Sequence, residues 1–293
     1  MRDESIRVSI VIPARNEAIP LAVLLPAVRR QNPDAELLVV DDGSTDATRR
    51  VAEDAGARVI AHPYPMGNGA AIKTGAREAR GEVIVFMDGD GQHQATDIPR
   101  LLEKIDAGYD MAVGARKSGS HAGAHRAVAN DIFSRFASWM VSQQIDDLTS
   151  GFRAVRASKF RQFLYLLPNG FSYPTTITMS FFRAGYPVAY VPIDALQRQG
   201  KSHIRPLRDG VRFLLIIIKV GTLYSPLKLF LPISAGFFMT GLVYYGYTYL
   251  TSGRLTNMSV LMFIAAIFTF LIGIVSEQIS ALHYRDLDRD RDN

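Results

Sequence analysis

The stretch Val83-Ile-Val-Phe-Met87 runs without interruption into Asp88-Gly-Asp90. The first part is an unbroken apolar run of β-forming residues, which predicts a short buried strand. The two carboxylates then follow one residue apart, at the end of that strand. Such a pair can offer oxygen ligands to a hard divalent cation, Mg²⁺ or Mn²⁺, that takes its other ligands from water and substrate phosphates. A simple turn is the alternative, because Asp and Gly are common in turns.

Similar short apolar runs occur along the first half of the chain, and amphipathic segments separate them. The predicted strands are Arg7–Ile12, Glu36–Val40, Ala57–Ala61, Glu82–Met87 and Asp110–Gly114. The predicted helices are Ile19–Arg30, Asp46–Ala55, Asn68–Ala79 and Asp97–Ala107. This alternation predicts an α/β domain with a mostly parallel sheet, covered by helices on both faces. In such sheets ligands bind beyond the carboxyl ends of the strands.

Two further polar clusters lie beyond predicted strands. In Asp41-Asp42-Gly43-Ser44, one aspartate could accept hydrogen bonds from a nucleotide base or ribose. The alternative is a capping loop, with Ser44 as the N-cap of the next helix. Gly67-Asn68-Gly69, followed by Lys73, is similar to a phosphate-binding loop at a helix N-terminus, although it is not a Walker A sequence. The spacing alone leaves the phosphate role open.

The C-terminal part contains two long segments without a charged residue, Leu229–Leu250 and Thr256–Ser276, the second extending in apolar character to about residue 279. Each holds about 20 residues, the length that crosses a bilayer core as a helix. The short turn between them carries only Arg254, whereas several basic residues flank the outer ends. The positive-inside rule therefore predicts a transmembrane hairpin with the N-terminal domain in the cytoplasm. Two buried helices of a soluble core are the alternative.

The stretch Val211–Tyr224 has a different pattern, because Arg212 and Lys219 bracket a six-residue apolar run. This pattern predicts a helix that lies in the membrane interface. The predicted organisation is a globular domain (1–210), an interfacial helix (211–225), a transmembrane hairpin (226–284) and a polar cytoplasmic tail (285–293).

Composition excludes several classes of function. The 293 residues include no cysteine, so neither a disulfide framework nor a thiolate metal site is available. The net charge of +5 is not concentrated in a basic stripe, and we expect no nucleic-acid partner. The polar N-terminus and the short apolar run Val8–Ile12 do not match a signal peptide.

Several motifs occur in order along the chain and together carry a resemblance. They are Ile12-Pro-Ala-Arg-Asn-Glu17, Val40-Asp-Asp-Gly-Ser-Thr-Asp46, Gly67-Asn-Gly69 and Met87-Asp-Gly-Asp-Gly-Gln-His93. The chain resembles the inverting, GT-A-fold glycosyltransferases of family 2. Asp147-Leu-Thr-Ser-Gly-Phe-Arg153 and Arg198-Gln-Gly-Lys-Ser202 are similar to motifs of the polyprenyl-phosphate hexosyltransferases. That group includes dolichol-phosphate mannose synthases and undecaprenyl-phosphate glucosyltransferases, and the resemblance covers residues 6–205.

The resemblance implies a nucleotide-sugar donor of the GDP-mannose or UDP-glucose type, a polyprenyl-phosphate acceptor, and Mg²⁺ or Mn²⁺ as cofactor. With the two polar clusters above, the expected nucleotide-sugar site comprises Pro13, Ala14, Glu17, Asp41, Asp42, Asn68, Gly69, Lys73, Asp88 and Gly89. The expected metal ligands are Asp88, Asp90 and Gln92. The residues expected at the donor and acceptor phosphates, or in motifs that close over the site, are Arg116, Arg126, Ser150, Arg153, Arg198 and Ser202.

Two other functions stay open. A family 2 enzyme that glycosylates a lipid or glycan hydroxyl needs a catalytic carboxylate near the acceptor, and Asp147 is the candidate. A non-catalytic, nucleotide-binding membrane scaffold is the more distant alternative. Many relatives carry an acidic residue in the helix that we place at Tyr173–Ala184, where this chain has none. Assembly of several copies is also left open.

Overall fold

A computed structural model describes residues 6–116, 134–170, 173–194 and 221–289, with side chains up to residue 282. Three predicted site residues, Arg126, Arg198 and Ser202, lie outside the described residues, as does all of the predicted interfacial helix before residue 221. The chain divides into two units. The first comprises Met1–Trp139 and Gln143–Ile204, and the second comprises Met140–Ser142 and Arg205–Asn293.

The first unit is built from strands and helices that alternate along most of its length. Its strands are β1 (Val8–Ala14), β2 (Glu36–Asp41), β3 (Arg58–Ala61), β4 (Val83–Phe86), β5 (Met111–Arg116), β6 (Arg153–Arg156) and β7 (Val188–Ile193). Its helices are α1 (Ala18–Gln31), α2 (Thr48–Asp54), α3 (Asn68–Glu78), α4 (Ile98–Asp106), α5 (134–141), α6 (Ala157–Arg161) and α7 (Tyr173–Arg183). A 3₁₀ turn at Ala95–Asp97 leads into α4, and the last residues of α5 belong to the second unit.

The strands form one sheet in the order β3-β2-β1-β4-β6-β5-β7. Strand β6 runs antiparallel to both β4 and β5, and the other neighbours pair in parallel. The predicted mostly parallel sheet is therefore confirmed. Phe86, at the carboxyl end of β4, pairs with Arg153, the first residue of β6. This register brings the segment before β6 to the same edge of the sheet as the segment after β4.

Helices cover both faces of the sheet, as the alternating pattern predicts. On one face, Ile10 and Val39 belong to a buried cluster with Leu21 and Leu25 of α1. On the other face, α3 lies so close to β1 that a Cβ on Gly75 would overlap the side chain of Val11. Burial of apolar side chains on both faces is the dominant favourable term in holding these layers together.

The start of α2 differs from the prediction. The helix begins at Thr48, and Ser44 is not its N-cap. Asp46 instead accepts the backbone N–H of Thr48 at its Oδ1 (3.0 Å). Ser44 Oγ accepts the backbone N–H of Asn16 (2.9 Å), so this serine braces the loop after β1. The assignment of Ser44 as a cap is wrong because the hydroxyl has a partner elsewhere in the fold.

The second unit contains a helical hairpin. Its helices are α8 (221–224), α9 (Pro226–Ser252) and α10 (Asn257–Arg289). Ser234 Oγ donates to the carbonyl of Ala266 (2.8 Å), and Gly241 packs against the side chain of Met262. Both α9 and α10 are long and apolar enough to cross a membrane, as predicted. Most of their large apolar side chains are exposed, which disfavours the alternative of two helices in a soluble core.

Candidate active site

The loops that follow β1 and β2 are locked together at the carboxyl edge of the sheet. The backbone N–H of Asn16 donates to Ser44 Oγ, and Asn16 Oδ1 accepts the backbone N–H of Thr45 (2.8 Å). The φ angle of Asn16 is 55°, in the left-handed region that asparagine tolerates better than most residues. Glu17 donates its backbone N–H to Thr48 Oγ1 (2.9 Å). This edge carries the predicted nucleotide-sugar residues Pro13, Ala14 and Glu17.

Asp42 is a buried carboxylate that shapes the loop between β3 and α3. It accepts the backbone N–H groups of Met66 (2.7 Å) and Gly67 (2.8 Å) and a hydrogen bond from His62 Nδ1 (2.8 Å). Burial acts to raise the pKa of Asp42, but these hydrogen bonds outweigh it and hold the pKa below its usual value. Asp41 likewise accepts a backbone N–H from the β2–α2 loop (3.0 Å). Both predicted aspartates thus fix the loops that border this edge.

Asp88 and Asp90 lie immediately beyond β4, as predicted. The side chain of Asp88 is 35% exposed, and Asp90 Oδ1 accepts the backbone N–H of Gln92 (3.1 Å). Gly89 between them packs closely on the end of β1, because a Cβ there would lie 3.2 Å from the carbonyl oxygen of Pro13. The strand end and this close packing fix the backbone from which the two carboxylates project.

The donor set at this strand end fits a hard divalent cation. In the part of the chain that the structure describes, no cluster of three or more His, Cys, Asp or Glu side chains could hold a metal by itself. Mg²⁺ and Mn²⁺ do not need such a cage, because they favour oxygen ligands and retain water or bind substrate phosphates. Two carboxylates one residue apart satisfy that chemistry, and the Gln92 backbone N–H bonded to Asp90 places Gln92 next to them in the chain.

His93 is a site residue that the sequence analysis missed. Its ring is buried and stacks on Phe152, with the ring centroids 4.9 Å apart. Its Nε2 lies 3.6 Å from Asp88 Oδ2, and its Nδ1 is buried without a hydrogen-bond partner among the described residues. The sequence signal that could have identified His93 is its position three residues after Asp90, at the end of the motif Met87–His93. The ring is positioned to restrain the Asp88 carboxylate.

Arg116 and Asp147 form a two-point ion pair at the end of β5. Arg116 Nε donates to Asp147 Oδ2 (2.8 Å), and Nη2 donates to Oδ1 (3.0 Å). The backbone N–H groups of Thr149 (3.0 Å) and Ser150 (3.1 Å) also donate to Oδ1. Burial acts to raise the pKa of Asp147, but the hydrogen bonds and the charge of Arg116 hold it below its usual value. Hydrogen bonding to Asp147 raises the pKa of Arg116 in turn.

Arg153 is fully buried at the start of β6. Its guanidinium donates to the carbonyl oxygens of Ser150 and Pro174 and to Thr178 Oγ1 (3.0 Å). Burial lowers the pKa of Arg153, because the charged form is poorly solvated there. The side chain therefore bonds the loop before β6 to the first turns of α7. In the structure, Arg153 stabilises the packing of these two segments.

The loop before β6 also supports Asp88 directly. A Cβ on Gly151 would lie 2.8 Å from Asp88 Oδ2, so a glycine is needed for this approach. Tyr173, the first residue of α7, donates its hydroxyl to the carbonyl of Gly151 (3.1 Å). The motif Asp147–Arg153 and the motif Asp88–Asp90 are thus parts of one site, although they are far apart in sequence.

The predicted phosphate-binding loop at the start of α3 has a different environment. Cβ atoms on Gly67 and Gly69 would overlap backbone atoms of Pro168 and Asn169. The backbone N–H of Ala70 donates to the carbonyl of Asn169 (3.2 Å), and Lys73 Nζ donates to Leu167 O (3.1 Å). The structure therefore shows that these glycines and Lys73 contact residues 167–170, and their role at a phosphate stays a prediction. Asn68 Oδ1 is buried there without a partner among the described residues.

The fold and the site together define a GT-A type glycosyltransferase with an apolar hairpin. The glycosyl transferase family 2 domain matches residues 9–164, and the GtrB C-terminal hairpin matches residues 225–282. The chain belongs to glycosyl transferase family 2. It is a membrane protein and a glycosyltransferase.

Comparison with individual proteins agrees with this placement. Glycosyltransferase AglJ of Haloferax volcanii is 28% identical and covers 96% of this chain and 96% of its own length. An undecaprenyl-phosphate mannosyltransferase of Micrococcus luteus is 31% identical, covering 66% of this chain and 85% of the relative. A crystal structure of glucosyl-3-phosphoglycerate synthase from Mycobacterium tuberculosis, in complex with Mn²⁺ and uridine-diphosphate-glucose, has a TM-score of 0.57 at 22% identity. The match covers 72% of this chain and 78% of the synthase chain. This likeness shows that the two share a fold.

Proposed function

We propose that this chain transfers a hexose, with inversion, from a nucleotide sugar to a polyprenyl phosphate at the cytoplasmic face of the membrane. One observation carries the proposal: the Asp88–Asp90 pair and the Arg116–Asp147 pair belong to a domain that precedes a hairpin of bilayer-crossing length. The Micrococcus luteus relative, whose name states this type of acceptor, supports it.

We assign the donor to the edge formed by β1, β2 and β4. Asp88, Asp90 and Gln92 are the residues that would hold Mg²⁺ or Mn²⁺. A bound divalent cation offsets the negative charge of a diphosphate leaving group. The loops fixed by Asp41 and Asp42 form the side of the site on which the nucleoside is expected. The structural neighbour with Mn²⁺ and uridine-diphosphate-glucose supports this assignment.

A phosphate acceptor agrees with the state of Asp147. A phosphate monoester is largely a dianion at neutral pH, so it can attack the anomeric carbon without a strong general base. An acceptor hydroxyl would need such a base, and Asp147 is poorly suited because its carboxylate is paired with Arg116 and its pKa is lowered. We assign Asp147 the role of orienting Arg116 toward a phosphate, with Arg126, Arg198 and Ser202 as further candidates from sequence.

Charge is the basis on which we assign the membrane topology. In the sequence, Arg212, Lys219 and Lys228 precede the first apolar segment and Arg285, Arg289 and Arg291 follow the second, whereas the turn between the segments carries only Arg254. This asymmetry favours a multi-pass arrangement with the turn on the outer side and the first unit in the cytoplasm.

The test is a transfer assay with purified full-length protein in vesicles. Radiolabelled GDP-mannose and UDP-glucose would be supplied with Mg²⁺ or Mn²⁺, with and without polyprenyl phosphate. We expect label in an organic-soluble lipid product only when polyprenyl phosphate is present. Transfer to a lipid or glycan hydroxyl would overturn the acceptor assignment. The absence of both transfer and metal-dependent donor hydrolysis would favour a non-catalytic scaffold.

A further inference from the structure

His62 is the first residue after β3, and its side chain is only 7% exposed. Both of its ring nitrogens lie within hydrogen-bond distance of a side chain on another part of the fold. Nδ1 is 2.8 Å from Asp42 Oδ1, directly after β2, and Nε2 is 3.0 Å from Thr74 Oγ1, on α3. The ring therefore bridges the ends of two neighbouring strands to the helix that packs on them.

The partner of Nδ1 determines where the ring carries a proton. Burial is outweighed by hydrogen bonds at Asp42, which hold its pKa below the usual value, so the carboxylate is ionised at neutral pH and can only accept hydrogen bonds. Nδ1 must then carry a proton, in the neutral and in the charged ring alike. In the neutral ring, Nε2 accepts the hydroxyl proton of Thr74. The ring has one defined orientation, because turning it over would place carbon atoms against both partners.

Asp42 passes this constraint to the loop between β3 and α3. Besides the bond from His62, it accepts the backbone N–H groups of Met66 (2.7 Å) and Gly67 (2.8 Å). The Met66 N–H and the His62 ring donate to the same oxygen, Oδ1. A carboxylate that bonds two successive backbone amides must keep one rotamer, and the ring on the same oxygen opposes rotation away from it.

The loop of residues 62–67 lies on the edge of the sheet to which we assign the donor. A Cβ on Gly43 would lie 2.8 Å from the backbone of this loop. The backbone N–H of Asp42 donates to the carbonyl of Ala14, at the end of β1 (2.9 Å). Residues 63–66 are exposed. The inner side of the loop is thus bonded to the protein, while its outer side is open to a ligand.

We propose that His62 is a positioning residue for the donor: by bridging Asp42 and Thr74, it holds the loop of residues 62–67 in the geometry that binds the nucleoside diphosphate part. A loop that is already ordered binds its ligand more tightly than one that the ligand must order. The inference rests on the proposed function in taking this edge as the donor site. It extends that function because donor affinity then depends on a residue buried behind the loop, whereas acceptor affinity does not.

The effect on the loop can be tested without a ligand. Hydrogen exchange, followed by mass spectrometry on the full-length protein in detergent, reports on the amides of Met66 and Gly67, which donate to Asp42. His62→Phe keeps a ring of similar size and removes both nitrogens. We expect these amides to exchange about 10-fold faster, the scale of one lost hydrogen bond to a charged group. Unchanged exchange would overturn the proposal.

Donor affinity tests the second step. Calorimetric titration of the full-length protein with UDP and with GDP, each with Mn²⁺, gives the Kd of whichever nucleotide binds. His62→Phe should raise this Kd about 10-fold, and Thr74→Val, which removes one neutral hydrogen bond, about 3-fold. His62→Asn should recover most of the affinity, because its side-chain N–H can donate to Asp42 as Nδ1 does. In transfer assays the KM for the donor should rise by the same factors, with kcat and the KM for the acceptor unchanged.

Ser9→Ala separates this effect from a loss of overall stability. Ser9 Oγ bonds to Glu36 and to the backbone N–H of Gly81, at the amino end of the same sheet. This variant should lower the melting temperature and leave nucleotide affinity unchanged. A His62→Phe protein that melts earlier but binds nucleotide as the native protein does would overturn the proposal. Thr74→Val decides the question by the same two measurements if His62→Phe does not fold.

The same titrations distinguish this inference from the proposed function. Nucleotide binding that weakens in His62→Phe, without any lipid product from the native protein, would support the inference and overturn the acceptor assignment. Lipid product with a donor KM that is equal in the native protein and in His62→Phe would overturn the inference alone. A native protein that binds neither nucleotide would overturn both.

Discussion

The guanidinium of Arg116 and the carboxylate of Asp147 meet through two nearly parallel hydrogen bonds, Nε to Oδ2 and Nη2 to Oδ1. Asp147 is almost completely buried, whereas the Arg116 side chain is 38% exposed. The pair therefore has a fixed inner member and an outer member that solvent or a ligand can reach. A planar guanidinium held in this way is well suited to bind a phosphate with its remaining N–H groups.

Asp147→Asn should lower kcat/KM for the lipid phosphate by roughly 10- to 100-fold, the effect expected when a charge-assisted hydrogen bond of about 1.5–3 kcal/mol is lost. Donor binding should change little, because the change misorients Arg116 without altering Asp88 or Asp90. Steady-state transfer rates at varied acceptor concentration give the measurement. Asp146→Asn, at an exposed neighbouring carboxylate, is the matched control. Complete loss of turnover together with loss of an acidic limb in the pH profile would instead make Asp147 a general base.

Asp88→Asn and Asp90→Asn should each reduce transfer by more than about 100-fold, since even partners outside the ligand shell alter metal affinity by 10- to 100-fold. Chelation should have the same effect on the native protein, and added Mg²⁺ or Mn²⁺ should restore activity. Titration of Mn²⁺ by electron paramagnetic resonance checks the loss of binding. Asp54→Asn, an exposed carboxylate on α2, should leave binding and transfer as in the native protein.

His93→Phe should weaken metal activation while keeping the fold. The new ring can retain the stacking on Phe152, but it removes the Nε2 that lies beside Asp88. We expect the metal concentration for half-maximal transfer to rise by about 10-fold, the lower end of the range for residues that support a metal ligand. An unchanged melting temperature with an unchanged metal requirement would assign His93 to packing alone.

Gly69→Ala should destabilise the first unit by about 1–3 kcal/mol or more, as overpacking commonly does, because the new Cβ would overlap the backbone at Pro168. Gly170→Ala is the control, since a Cβ at that neighbouring position meets nothing within 4 Å. Thermal melts of the two variants in the same detergent compare them directly. Equal melting temperatures would show that residues 168–170 shift to accommodate the new Cβ at little cost in stability.

Acid should destabilise the first unit partly through Asp42. Its pKa is lower in the folded protein than in the unfolded chain, so its contribution is complete above the unfolded value of about 3.9 and is lost as pH falls through the folded value. Melting temperatures should therefore fall steeply below about pH 4. Asp42→Asn should have a lower melting temperature at neutral pH and a shallower decline in acid. If the melting temperatures of both proteins fall equally with pH, Asp42 does not contribute to the destabilisation in acid.

Sequence patterns predicted the first five strands because each contains a short apolar run; four of these strands are largely buried in the fold, and β3 is half-buried. They did not predict β6, Arg-Ala-Val-Arg, since a strand that begins and ends with arginine has no such run. Arg153 can be buried because Pro174 O and Thr178 Oγ1, more than twenty residues later in the chain, accept its N–H groups. Those partners are set by tertiary structure and leave no local pattern.

The site was predictable to a similar degree. Asp88 and Asp90 were found because a strand end fixes their position locally. The start of α3 was interpreted as a phosphate loop because glycines there are ambiguous. They permit close approach of either a ligand or the chain itself, and the chain that approaches is the Pro168–Gly170 segment almost a hundred residues later.

The antiparallel insertion of β6 between β4 and β5 has a consequence for biosynthesis. The edge of β4 that β6 covers cannot pair until Arg153 has emerged from the ribosome, long after β1 to β4 have been made. During that interval the nascent chain presents an unpaired strand edge, the type of surface on which chaperones act and from which aggregation begins. Translation speed between the codons of Phe86 and Arg153 should therefore influence yield more than speed elsewhere in the domain.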